Sequence, residues 1–369
     1  MLQNPHREVG KILQNPQRNF VWASSYAAVE GGVQKNIVKK RLLILTKKIY
    51  TCSMSILVFK QLCYMMVVVL VAFVFSKKFK FGKEEISFAS RTLLYLVNPC
   101  MLLSSFDIPY DSNKIKGLAV MIGLCLLVHL AMMVAACIFI RSRTPEGKEL
   151  DGIDRVGVIF TNSGFIGIPL INGVLGREGV FYLMGYLVNF NILLWIFAPL
   201  ALGCKFDIKK IIFNPNVIAV TAGFVLFCIP GTLPDLLAKP VGYIGQMNTA
   251  LSMILLGMIF ADFKKGEVKH SLAIRAAWTC LVRLVICPLA ALAVIALLSG
   301  LLAGFEDGHL MTVTAYIAAL CPAGMSITSL AVVFKKDAHY AGFIVALTSA
   351  LCVLGTPALI YLAQLLGLM

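Results

Sequence analysis

The chain has 369 residues, of which 59% are hydrophobic and 14% charged, against roughly 45 to 50% and about 25% in soluble domains. With a mean hydropathy of +0.86, this composition describes a polytopic membrane protein and excludes a soluble enzyme, a disordered tail and a disulfide scaffold. The net charge of +15 lies mostly at the flanks of apolar segments, which is the pattern of loops at a membrane face and implies no nucleic-acid partner.

Residues 1–53 carry nine Lys or Arg around an apolar run, LLIL, that Lys47 and Lys48 follow at once. That run is too short for a signal peptide. The segment reads as a basic extension, either not native, with Met54 as the real start, or a poorly ordered arm. Apolar segments then follow at 54–75, 88–106, 117–140, 154–175, 179–203, 216–233, 241–261, 271–300, 309–334 and 339–366. Each is long enough to cross a bilayer, and the runs are continuous rather than alternating, which excludes a closed barrel. The predicted fold class is all-α, with ten transmembrane helices. Eleven cysteines, including Cys125, Cys137, Cys280 and Cys352, are scattered through these runs and read as lipid-embedded thiols with no disulfide, metal or cofactor role.

Loops after the odd-numbered spans hold sixteen Lys or Arg and those after the even-numbered spans four. The odd loops are therefore cytoplasmic. The nine basic residues before Met54 conflict with this orientation, which is a further reason to set that segment apart.

Shifting the chain by 160 residues lays 160–174 on 320–334 without a gap, with Gly164 on Gly324 and Leu170 on Leu330. A shift of 154 lays Leu118 and Ala119 on Leu272 and Ala273, and a shift of 155 lays Asp107 on Asp262. Two five-helix halves result, 54–203 and 204–369, and an odd span count per half makes them inverted. Spans 4 and 9 each place helix breakers at mid-span: Asn162, Ser163, Gly164, Gly167 and Pro169 in one, Pro322, Gly324, Met325, Ser326 and Thr328 around the other. Unwound backbone at that depth belongs where it lines a cavity. Paired breaks in inverted halves point to a substrate site in which half-helix N-termini face an anion.

No Asp or Glu sits at mid-span, so a proton relay through a buried carboxylate is not predicted. The deep ionisable residues are His129 and Arg283, which the shift of 154 superposes. A buried Arg needs a partner. For Arg283 that is either the carbonyls of a broken helix or a carboxylate substrate, and both readings stand; His129 reads as a hydrogen-bonded structural residue. Asn98 with Pro99, and Gln246 with Asn248, are polar breaks that either face the site or bond between helices. HExxH, GxSxG, GxGxxG and P-loop motifs are absent, and nothing points to catalysis.

The segments LLYLVNPCMLLSSF (93–106), TNSGFIGIPL (161–170), NPNVIAVTAGF (214–224), TALSMILLGMIFAD (249–262), LVRLVICPLA (281–290) and CPAGMSITSLA (321–331) resemble the auxin efflux carrier family. The resemblance implies a scaffold of helices 1, 2, 6 and 7, and a transport domain of helices 3–5 and 8–10 in which helices 4 and 9 cross. It further implies elevator-type movement of small organic anions, auxin in plants and compounds such as malonate or malate in bacteria. Two departures are visible. Loop 5 is only about a dozen residues, so auxin is not the expected cargo, and Thr249-Ala250-Leu251 stands where the family has a proline in span 7.

The expectation is a multi-pass inner-membrane carrier of a mono- or dicarboxylate. Its binding residues would be Asn162, Ser163, Gly164, Gly167, Pro322, Gly324, Met325, Ser326, Arg283, Asn98 and Asn248, with no metal or cofactor. Partners would be the anion, the lipid bilayer and a second copy through the scaffold helices. The rivals are a sodium-coupled symporter of the bile-acid transporter type and a channel or receptor.

Overall fold

The computed structural model describes residues 33–107, 111–204, 213, 215–228, 234–262 and 270–369. The chain divides into two units, Met1–Ser53 and Met54–Met369. In the first, the backbone from Val33 is helical where an irregular arm is one expectation; residues 1–32 lie outside the described residues.

Every regular element among the described residues is helical. In chain order these are α1 (Val33–Phe79, apolar over Met54–Phe79), α2 (Lys83–Ser105), α3 (Ser112–Phe139), α4 (Pro145–Ile159) and α5 (Ser163–Ala201). There follow α6 (Pro215–Cys228), α7 (Asp235–Asp262), α8 (His270–Leu302), α9 (Gly308–Leu320), α10 (Ser326–Val333) and α11 (Ala338–Leu365). Local chemistry sets several starts. Asp111 caps α3 through the Asn113 N–H at 2.8 Å, Thr144 caps α4 ahead of Pro145, and Asp337 accepts the Tyr340 N–H at 2.9 Å at the start of α11. Each side-chain oxygen takes up an N–H that the first turn leaves without an acceptor.

Seven helices, α1, α2, α3, α5, α7, α8 and α11, are long and apolar enough to cross a membrane. That is fewer than the ten expected, and the backbone shows why. Span 4 is split between α4 and the start of α5, and span 9 between α9 and α10. The expected spans 4 and 5 join within α5, where Gly176, with φ of +70° and ψ of −164°, puts a kink between two helical stretches; glycine alone takes that conformation without a Cβ penalty. In span 6, α6 is described only over Pro215–Cys228.

Helices approach closely where side chains are small. A Cβ on Gly257 of α7 would stand 2.5 Å from the Val69 carbonyl of α1, and one on Gly245 would stand 3.0 Å from the Met101 backbone of α2. Without a hydrophobic force between helices in lipid, such contact is what holds them together.

Three helices contain a π turn: Leu93–Val97 in α2, Ser163–Gly167 in α5 and Val282–Ile286 in α8. Each ends two residues before a proline, Pro99, Pro169 and Pro288. The proline ring clashes with the carbonyl four residues back, and widening that turn by one residue relieves the clash.

Candidate functional site

α4 stops at Ile159 and α9 at Leu320, and the extended residues beyond them pair as an antiparallel bridge, Thr161 with Ala323. The Asn162 N–H donates to Pro322 O at 2.7 Å and the Gly324 N–H to Phe160 O at 2.8 Å. The breaks expected in spans 4 and 9 therefore meet, and each satisfies backbone groups of the other that burial would otherwise strand. A Cβ on Gly324 would stand 2.9 Å from Thr161 O, so only glycine permits this approach. Gly167 is nearly as tight, 3.2 Å from Cys321 Sγ. α11 supports the second break: Thr348 Oγ1 accepts the Ala323 N–H at 3.2 Å, and Thr356 Oγ1 donates to Leu320 O at 3.4 Å.

Two helix N-termini leave the crossing, Ser163 of α5 and Ser326 of α10. Asn162 O accepts the N–H groups of Ile166 and Gly167 at 2.9 and 3.1 Å, but its side chain caps nothing. Asn162 Nδ2, Ser163 Oγ and Ser326 Oγ are buried and have no hydrogen-bond partner among the described residues. On the neighbouring helices, Asn248 Nδ2 of α7 donates to Asn98 Oδ1 of α2 at 2.5 Å, while Asn248 Oδ1 is likewise unpartnered. Asn98 Nδ2 faces Gly164, 3.9 Å from where a Cβ would be, and α7 packs on the Ser163–Gly167 turn. Met325 is buried beside Ser326. The residues named from sequence at both breaks, together with Asn98 and Asn248, are thus neighbours in the fold. Unpartnered amide and hydroxyl groups thus gather beside two helix N-termini, whose dipoles place partial positive charge there.

Arg283 stands at the opposite ends of the half-helices. It is fully buried; Nε donates to Cys321 O at 3.0 Å, Nη1 to Val158 O at 2.7 Å, and Nη2 to Cys321 O at 2.7 Å and to Ala319 O. The remaining Nη1 hydrogen faces Met132 Sδ at 3.6 Å. All five donors are engaged. Of the two readings of Arg283, the geometry matches the tie to loosened carbonyls. His129 is also fully buried, with Nδ1 2.7 Å from Cys125 O and its ring 4.4 Å from that of Tyr186.

The sequence reading missed a buried ionic cluster. Asp154 is 1% exposed, and Arg275 donates to Asp154 and to Asp151 at 2.6 Å each. Counting acids by their distance from mid-span hid Asp154, which lies at the edge of span 4 yet inside the protein. Asp151 also accepts from the Ser142 N–H and hydroxyl at 2.9 and 2.7 Å. Burial pushes its carboxyl up, but these bonds and the Arg275 guanidinium outweigh burial and hold it below the usual carboxylate range. Among the described residues no group of three His, Cys, Asp or Glu is placed to hold a metal.

A family model described as membrane transport protein matches residues 57–202 and 198–360. An uncharacterized transporter of Methanothermobacter thermautotrophicus is 25% identical over 213 residues, which cover 56% of this chain and 68% of that protein.

Proposed function

The chain belongs to the membrane transport protein family, that of the auxin efflux carriers, and from that premise we propose that it is a secondary carrier of a small organic anion. The cargo is a mono- or dicarboxylate such as malonate or malate, moved by an elevator-type alternation across a plasma (inner) membrane. The family is one of transporters, not of enzymes. We read the helices as ten spans in two inverted halves, the end of α4 from Asp154 with the start of α5 forming span 4 and α9 with α10 forming span 9. In this reading α1, α2, α6 and α7 are the scaffold, through which two copies associate, and the other helices move.

The observation that supports this reading most is the set of unpartnered buried groups, Asn162 Nδ2, Ser163 Oγ and Ser326 Oγ, beside two helix N-termini. Burying a polar group without a partner costs on the order of 1–3 kcal/mol, and a carboxylate would satisfy all three. Arg283 has no part in this recognition, because its donors are already engaged.

The test is a thermal-shift screen of the purified protein against small carboxylates, followed by counterflow in proteoliposomes. A ligand present at 100 times its Kd adds about 2.7 kcal/mol of apparent stability. Saturable counterflow of the stabilising anion is the expected result. Flux that neither saturates nor counterflows would indicate a channel, and uptake that requires sodium would favour the sodium-coupled alternative.

A further inference from the structure

α8 carries Arg275, Thr279 and Arg283 at intervals of four, so the three side chains lie along one helix face. That face runs beside α4, which packs on both α8 and α11. Arg275 Nε reaches Asp154 Oδ2 at 2.6 Å, Nη2 reaches Asp151 Oδ1 at 2.6 Å, and Nη1 reaches Ser142 Oγ at 2.8 Å. One turn on, Thr279 Oγ1 donates to Asp154 Oδ1 at 2.9 Å. A further turn on, Arg283 Nη1 donates to Val158 O at 2.7 Å. The rungs climb both helices in the same order. Tyr340 OH of α11 adds a third helix, donating to Asp154 Oδ1 at 2.9 Å.

We propose that this ladder is a splint, and that Arg275, acting through Asp151 and Asp154, is a positioning residue that, by holding α4, fixes where Asn162 and Ser163 stand just beyond its end. Apolar packing alone sets the axial register of a membrane helix weakly, since lipid tails match its side chains. Charge-assisted bonds at 2.6 Å have a narrow geometry, and re-engaging them after a slip takes a full turn, about 5.4 Å. Asp154 lies eight residues before Asn162, five of them helical and three extended, about 17 Å along the chain, so Arg275 influences the crossing only by holding α4. The ladder is also what makes α4, α8 and α11 one moving body, which rests on the transport reading above.

The experiment compares the full chain with Arg275→Gln, Asp154→Asn, the double variant R275Q/D154N, and Thr279→Val. Three readouts are taken: thermal unfolding in detergent, amide hydrogen exchange, and affinity for malonate as the probe. Each single charge removal strands a buried partner and is expected to lower the melting temperature, while the double variant, in which only Asp151 loses its guanidinium, recovers part of it. In the double variant, exchange of peptides spanning 158–167 and 319–326 is expected to accelerate tenfold or more, with peptides of α7 unchanged. Malonate affinity is expected to fall about tenfold. Thr279→Val buries no charge and is expected to accelerate the same peptides about threefold, which decides the matter if the double variant does not fold. Wild-type exchange at the crossing in a folded double variant, or in Thr279→Val, overturns the proposal. If malonate fails to bind the unaltered protein, the cargo reading fails, and the exchange data still judge the splint.

Discussion

Arg283 and Cys321 are joined twice: Nε and Nη2 of the guanidinium converge on the one Cys321 carbonyl, at 3.0 and 2.7 Å. A further arm reaches Val158 O at 2.7 Å, so a single side chain gathers the C-terminal carbonyls of two half-helices. A lysine in its place offers three donors from one point and cannot span both. Arg283→Lys should therefore strand at least one carbonyl, at a cost of about 1–3 kcal/mol, and lower the melting temperature of the unliganded protein. An unchanged melting temperature with weakened carboxylate affinity would return Arg283 to the binding site.

Asn162 makes the opposite prediction. Its Nδ2 has no partner among the described residues, so Asn162→Ala gives up no internal bond from that nitrogen and should leave unfolding near wild type. Loss of one hydrogen bond to the cargo should weaken binding by about 0.5–1.5 kcal/mol, measurable by titration calorimetry.

Gly164 and Gly324 fall on one another when the sequence is shifted by 160 residues and should respond differently to alanine. A Cβ on Gly324 would stand 2.9 Å from Thr161 O and 3.1 Å from Phe160 O, both main-chain atoms that cannot turn aside. One on Gly164 meets nothing closer than Asn98 Nδ2 at 3.9 Å. Gly324→Ala should cost about 1–3 kcal/mol, as overpacking does, and Gly164→Ala should fold normally. Equal melting temperatures for the two variants would contradict the crossing geometry.

Asp151 gives the pH dependence. Its carboxyl is held below the ordinary value in the folded chain, so the folded state favours the charged form. That contribution is complete above the unfolded value, near 3.9, and is lost as pH falls through the lowered folded value. In melting curves from pH 6 downward, Asp151→Asn should flatten the acid limb. An acid limb identical to wild type would remove Asp151 from the account.

Much of this was readable beforehand because the signals were compositional or local. Apolar runs gave the helices, and the breakers at Asn162–Gly167 and Pro322–Gly324 gave the two interruptions, because Gly and Pro act on their own backbone. A shift of 160 residues lays one interruption on the other. The Asp151–Asp154–Arg275 cluster was not readable, since its partners are more than 120 residues apart and each alone resembles a loop charge. The π turns were also missed, although the proline two residues after each is a local signal that could have found them.

The guanidinium of Arg283 also has an electrical consequence. Where the four half-helices meet, two N-termini of about +0.5 and two C-termini of about −0.5 cancel, and in the ladder Asp151 and Asp154 offset Arg275 and the neighbouring Arg155. What remains at the crossing is one positive charge, that of Arg283. A monoanion bound at the crossing would leave it neutral and a dianion would leave it one net negative charge, against one positive when it is empty. If the crossing moves as the proposed carrier requires, the membrane field, about 2.3 kcal/mol per charge per 100 mV, acts on this local charge, and so on the empty and the dianion-loaded crossing but not on one loaded with a monoanion.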